Sequence, residues 1–304
     1  MELRHLRYFV AVAEELHFTR AARRLGMNQP PLSQQIQQLE RELGATLFQR
    51  AARGVTLTPA GHAFLEDARR LLRDASLAGE RARRVAQGEQ GRLRLGMINS
   101  APFHPLIPRV IREFRRRYPG VTLSLQEDAT PALAAAVGRD TLDAAFVRPL
   151  LEPVAGLREQ IVLEEDLVVA LPAGHALSAK PALALLALSL EPFVLFSRSV
   201  GAGLHDEITG ACRKAGFAPR IVQEASQVTS IVNLVASGLG VSLVPASMQR
   251  MNTEGVAFRP LRKPVPKARL LLMHRADDAQ SAQLRNLLAL TQQLAASTKR
   301  EREF

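Results

Sequence analysis

Residues 18–61 read FTRAARRLGMNQPPLSQQIQQLERELGATLFQRAARGVTLTPAG, and this stretch decides the architecture of the first part of the chain. Thr19 is placed to cap a helix, Ala21 and Ala22 allow another helix to approach closely, and Gly26 suits a tight exit. A further helix follows within a few residues, with Asn28 at its cap. Pro30 and Pro31 fall in its first turn, where amide hydrogens lack helical acceptors in any case. Leu32, Ile36, Leu39 and Leu43 form its apolar stripe, while Gln34, Gln37, Gln38 and Arg41 occupy the opposite face. Glutamine can donate and accept at an adenine edge and arginine can pair with guanine; a face that only keeps a helix soluble more often shows Glu and Lys, and that plain solvated face is the alternative reading.

Upstream, Leu3, Leu6, Phe9, Val10, Ala13 and Leu16 recur at spacings of three and four and predict a preceding helix. Three short helices, the last two joined by a tight turn, spell a helix-turn-helix whose final helix enters a DNA major groove. Leu47 to Thr58 reads as two short strands around Gly54, a wing that puts Arg50 and Arg53 within reach of phosphates or a minor groove. Thr58-Pro59 then starts a long helix. Its heptad-spaced Phe64, Leu71, Ala75, Ala78 and Val85 predict a two-helix dimer seam, with packing against the chain's own domain as the alternative.

The positive charge fits a nucleic-acid partner first, an acidic lipid second and a merely solvated basic surface third. The 304 residues carry a formal net charge of +11 and are 47% hydrophobic, which excludes wholesale disorder and leaves room for two or three domains. Residues 1–92 hold 15 Arg against 10 acidic residues, so the first third is the more basic per residue. The single cysteine, Cys212, excludes an internal disulfide or a two-thiol switch, and no Cys/His cluster has zinc-finger spacing. Acids and arginines interrupt the apolar positions of the N-terminus, and no apolar run approaches the length of a membrane span. The expectation is a cytoplasmic protein with no membrane partner and no cofactor.

The run from Leu6 to Leu65 resembles the winged helix-turn-helix of LysR-type transcriptional regulators, through the small-residue pair, Gln-Pro, Leu-Ser, Leu-Glu, Leu-Phe-x-Arg and Leu-Thr-x-Ala-Gly. The resemblance implies an all-α winged helix-turn-helix domain at 1–58, a linker and dimerisation helix at 59–90, and a two-lobed α/β effector-binding domain at 91–304. Its lobes would comprise about 91–162 plus 268–304, and 163–267. It further implies base contacts from Asn28, Gln29, Pro30, Ser33, Gln34 and Gln37, a homodimer assembling into a homotetramer, recruitment of RNA polymerase, and a small-molecule effector.

The second part supports that fold on its own residues. Strands are predicted near 92–98, 121–126, 142–147, 166–171, 193–197, 220–224, 241–244 and 268–274, alternating with helices near 104–118, 131–138, 203–215, 227–237 and 278–296, which predicts parallel α/β layers. Ligands of such sheets sit beyond the carboxyl ends of strands. That rule selects Asn99 and Ser100, then Asp128 and Thr130, then Arg148, and then Ser197, Arg198 and Ser199; Thr229, at a helix start, is a further candidate, and hydroxyls and arginines beside helix starts suit a small carboxylate. Each hydroxyl taken singly is explained equally well as a helix cap. The lobes are expected to exchange strands near 161–166 and 262–268, and Gly238 and Gly240 to serve a chain reversal.

No catalytic constellation emerges. His205-Asp206-Glu207 lacks the second histidine of a zinc motif, Cys212 is two helical turns from His205, Gly201-Ala202-Gly203 lacks a third glycine, and Glu164, Glu165 and Asp166 have no evident partner. A ligand-responsive DNA-binding regulator is therefore the leading function; a solute-binding receptor or an enzyme on the same α/β fold are the alternatives.

Overall fold

Helix α1 (Leu3–Glu15) buries Leu6, Phe9, Val12 and Ala13 on one face and ends where Leu16 turns left-handed at φ 50°. Helix α2 (Phe18–Arg24) is capped differently from the sequence expectation: the His17 ring nitrogen Nδ1 accepts the Thr19 amide at 3.2 Å, so Thr19 supplies the N–H and not the cap. Gly26, at φ +66°, makes the turn into α3 (Gln29–Leu43), which buries Leu32, Ile36 and Leu39. Asn28 occupies the cap position of α3, but its side chain makes no capping hydrogen bond. Strands β1 (Phe48–Ala51) and β2 (Gly54–Leu57) form the antiparallel wing. Phe9 packs between Phe48 and Phe64 at ring separations of 5.2 and 5.1 Å and closes the core beneath.

Two motifs gain a physical cause here. The Glu40 carboxylate accepts the amides of Leu47 (2.7 Å) and Phe48 (3.1 Å), fastening the wing to α3. Thr58 caps helix α4 (Pro59–Ala86) through its hydroxyl oxygen, which accepts the Gly61 amide at 2.9 Å. A Cβ at Gly61 would lie 2.1 Å from the Leu47 carbonyl oxygen, so this position must be glycine for α4 to sit against the wing.

The computed structural model describes residues 1–51, 54–277 and 281–303, and the chain divides into two compact units, one of Met1–Arg84 and one from Val85 onward. In the second unit, β3 (Gln90–Met97) pairs in parallel with β4 (Gly120–Glu127) and β5 (Ala144–Val147). Helices α5 (Leu106–Arg117), α6 (Thr130–Gly138) and α9 (Ala282–Glu303) complete the first lobe. The second lobe contains β7 (Pro192–Phe196), parallel to β8 (Arg220–Ala225), with α7 (Arg198–Lys214), α8 (Val228–Ala236), β9 (Ser242–Pro245) and β10 (Val256–Pro260). Each lobe has its own apolar core, one around Phe114 and Phe146, the other around Phe193 and Ile231.

The layers are not wholly parallel, contrary to the expectation from strand–helix alternation. Strand β6 (Leu157–Pro172) runs through both lobes: Leu157–Asp166 pairs antiparallel with β11 (Lys267–Arg275), and Leu167–Pro172 pairs antiparallel with β9 and β10. The expected exchange segments thus become one continuous strand and the start of another. The sequence reading found only the apolar end of β6, because in LREQIVLEED the short apolar centre Ile161–Leu163 is flanked by the charged pair Arg158-Glu159 and the charged triplet Glu164-Glu165-Asp166, and it missed β10. Strands joined by lobe crossings need no intervening helix and escape the parallel rule.

Candidate DNA-reading face and effector pocket

On α3, Gln29, Gln34, Gln37 and Gln38 are exposed and Ser33 is half-buried, because the apolar stripe turns Leu32, Ile36 and Leu39 inward. Gln29, Ser33 and Gln37 line one concave surface together with Gln49, Arg50 and Val55 of the wing, a hollow of about 370 Å³. Gln29 Nε2 donates to Ser33 Oγ at 2.8 Å, which pre-sets both side chains. Asn28, Pro30 and Gln34 lie exposed alongside. Arg50 stands on β1 opposite Val55. Arg53, the other wing arginine expected to touch DNA, lies outside the described residues. The concave surface therefore combines amide groups able to read base edges with one guanidinium suited to a phosphate.

On the proposed dimer seam the residues separate. Leu71 (40% exposed), Ala78 and Val85 (49% exposed) are open and Ala75 is half-buried, as an uncovered helix face requires. Phe64 is placed otherwise: its ring sits 5.1 Å from Phe9 inside the N-terminal core.

Between the two lobes of the second unit lies a cavity of about 350 Å³, lined by Ser100, Thr130 and Arg148 as the strand-end rule predicts. The other lobe supplies Phe196, Val200, Leu204 and the segment Ser226–Val228. Ser100 and Thr130 are 2% and 3% exposed. Thr130 Oγ1 accepts the Arg148 amide at 3.3 Å, which leaves the hydroxyl hydrogen to donate into the cleft. The Arg148 side chain runs back between the lobes: Nη1 donates to the Arg269 carbonyl at 2.9 Å, Nη2 lies 3.6 Å from Glu165 Oε1, and Nε has no acceptor. Burial pulls the Arg148 guanidinium below its usual value, and the neighbouring Glu165 charge opposes that shift.

Three candidate residues stand apart from the cavity lining. Ser197 shares a hydrogen bond with Ser199, the Arg198 guanidinium forms a two-bonded pair with Asp206 at 2.9 Å, and Thr229 lies 3.4 Å from the Gln227 amide oxygen. That pair holds the Asp206 carboxyl far below the usual carboxylate range. Asn99 and Asp128, also reached by the strand-end rule, line the cavity too, whereas sequence reasoning missed Glu127, the last residue of β4, and Gln227, which precedes α8. It also left Glu164, Glu165 and Asp166 without partners; they pair with Arg269 (2.6 Å), Arg148 and Lys267 respectively. The contacts with Arg269 and Lys267 span about a hundred residues of sequence, the one with Arg148 depends on how β6 packs against β5 and β11, and none has a local signature.

The enzyme candidates stay unassembled. Cys212 is fully buried and desolvation pushes its thiol up to about 11, the opposite of an activated nucleophile. Among the described residues no group of three or more His, Cys, Asp or Glu side chains could hold a metal ion, and no helix is long and apolar enough to cross a membrane.

Comparison with known proteins agrees with this geometry. Residues 3–62 match the family model of bacterial regulatory helix-turn-helix proteins of the lysR family, and residues 86–296 match the LysR substrate binding domain. The HTH-type transcriptional regulator YnfL of Escherichia coli K12 is 43% identical over 94% of this chain and 96% of its own length. BudR of Raoultella terrigena, another HTH-type transcriptional regulator, is 43% identical over 86% of this chain and 90% of its own. The crystal structure of CbnR, a LysR family transcriptional regulator, superposes with a TM-score of 0.84 at 32% identity, covering 96% of this chain and all (100%) of that one. Full-length CbnR complexed with its target DNA gives 0.80 at 31% identity, covering 97% and 100%. These relatives are transcriptional regulators and not enzymes, and the chain belongs to the LysR family of DNA-binding transcriptional regulators, with a winged helix-turn-helix followed by a two-lobed effector-binding domain.

Proposed function

We propose that the protein acts in the cytoplasm, recognising operator DNA by sequence through α3 and the wing, and that a small carboxylate-bearing metabolite in the interlobe cleft sets its output. The functional division follows 1–58 for DNA reading, 59–90 for dimerisation and 91–304 for effector binding. Gln29, Ser33, Gln34 and Gln37 read base edges, and Arg50 and Arg53 hold phosphates or the groove. The observation that carries this reading is the single concave surface formed by Gln29, Ser33, Gln37 and Arg50.

The α4 faces of two copies pair through Leu71, Ala75, Ala78 and Val85. Apolar residues on two edge strands, Leu125 of β4 and Ile221 and Val222 of β8, support assembly of dimers into a tetramer, since open edges with exposed apolar side chains favour pairing. Effector binding then shifts the balance of two quaternary states that bend DNA and present RNA polymerase differently.

Fluorescence-anisotropy titrations on operator and random DNA test the division of labour. Gln34→Ala should lose about 1–3 kcal/mol of discrimination at one base position. Arg50→Ala should weaken all sequences alike and flatten the salt dependence by about one counterion. Equal effects of both variants on both DNAs would overturn it.

A further inference from the structure

The charges around the interlobe cleft do not suit a simple anion. Arg148 is the only cation among its lining residues, and its charge is already faced by Glu165 inside the protein. Arg198, the nearest candidate replacement in sequence, is committed to Asp206. Glu127 and Asp128 also line the cleft; both are exposed and neither has a basic partner among the described residues. Asp128 Oδ1 accepts the Ala129 amide at 2.8 Å, so its other oxygen remains open. A ligand with only a carboxylate would enter a site of net negative charge.

Donors for a carboxylate are nevertheless present in the wall. Ser100 and Thr130 present buried hydroxyls, α6 and α8 begin at Thr130 and Val228, and Arg148 Nε is a buried N–H without an acceptor in a residue 4% exposed. Phe196, Val200, Leu204, Ile98 and Val228 supply the apolar part of the lining. Resting on the reading of this cleft as the effector site, we propose that its ligand is a zwitterion of the amino-acid type with an apolar side chain. Its carboxylate is held by Ser100, Thr130 and Arg148 Nε, and its ammonium by Glu127 and Asp128. The two unpaired acids then select against the same molecule without its amine, because that molecule meets their charge uncompensated.

The test uses the full-length protein, with thermal-shift screening of each standard amino acid followed by calorimetric titration of any that binds. Each binder is compared with its matched carboxylic acid lacking the amine and its matched amine lacking the carboxylate. An apolar amino acid should bind, and loss of either charged group should weaken binding by about tenfold or more. Asp128→Asn should weaken the amino acid while sparing or strengthening the des-amino acid, whereas Thr130→Val should weaken both. Ser100→Ala repeats the carboxylate arm at a hydroxyl whose loss breaks no hydrogen bond among the described residues. If the des-amino acid binds as tightly as the amino acid and still depends on Thr130 or Ser100, the zwitterion is wrong and the site stands. If a bound amino acid ignores Thr130, Ser100 and Asp128 alike, the site itself is wrong. No amino acid binding at millimolar concentration overturns the zwitterion.

Discussion

The two units dispose of their polar side chains in opposite ways. In Met1–Arg84 the one buried polar residue among the described residues is His5, whose ring meets Gln35 at 3.0 Å, and the glutamines of α3 all face outward or lie half-buried. From Val85 onward Ser100, His104, Thr130, Arg148 and Glu165 are all buried, and three of these line the effector cleft. A reading face laid over a dry apolar core can change its specificity residues without touching stability. A binding site built into the seam of two lobes cannot, because the groups that meet the ligand also satisfy one another. Function and folding are separable in the first unit and entangled in the second.

Removing the keystone of the apolar core should show the first half of that contrast most strongly. Phe9 is fully buried between Phe48 and Phe64, so Phe9→Ala should cost the N-terminal unit about 3–5 kcal/mol through lost transfer energy and a cavity. Limited proteolysis read by mass spectrometry should find the new cleavage sites within residues 1–84 and DNA binding abolished. New cleavage spread equally beyond Val85 would break the idea of two independently stable units.

A slightly smaller effect is expected at the ion pair behind the cleft. Glu165→Leu leaves the Arg148 guanidinium buried with one carbonyl acceptor, and should cost about 3 kcal/mol in thermal denaturation. The double variant Arg148→Met, Glu165→Leu removes both charges and should recover part of that loss: an apolar pair of similar volume has no desolvation penalty, but the buried Ser247 amide still lacks its 2.8 Å acceptor, Glu165 Oε2. A double variant as unstable as the single one would mean that the pair contributes through more than its charges.

The same contrast explains what was legible in the sequence. In the first unit, spacing alone revealed α1, α3, the wing and α4, because each has one apolar face against one core and its function sits on the other face. Even there Thr19 was misjudged, since the cap came from His17, a residue whose ring nitrogen substitutes for a hydroxyl oxygen. Phe64 fitted the heptad but belongs to the N-terminal core, because the first turns of α4 serve the domain before the helix runs free. In the second unit the strand-end rule reached Ser100, Thr130 and Arg148, which are local to their strands. It failed at Ser197, Arg198 and Thr229, whose side chains find partners on their own helices or the residues that cap them, and it gave no access to Glu165. The Arg148–Glu165 contact depends on β6 crossing both lobes, a topology concealed by the charge clusters on either side of the strand's short apolar centre.

The weakest test concerns charge on the surface of the first unit. Glu14 bridges three helices: its carboxylate lies 2.8 Å from Arg24 Nη1 on α2 and 3.1 Å from Arg69 Nη2 on α4. The hydrogen bond from Arg69, followed by the Arg24 contact, outweighs desolvation and holds Glu14 below its ordinary value. A depressed folded-state value means that the stabilisation is fully present above the unfolded carboxylate range and disappears as pH falls through the folded-state value. With the Glu14 side chain 31% exposed, solvent screens the contact, and Glu14→Gln should cost only about 0.5 kcal/mol at neutral pH. The gap between wild type and variant should close on acidification below about pH 4. The effector unit has depressed carboxylates of its own, Asp140 beside Arg94 and Asp206 beside Arg198, so the acid limb of its unfolding should be unchanged by Glu14→Gln. A shift of both units' acid transitions would show that charge couples them even though their cores do not.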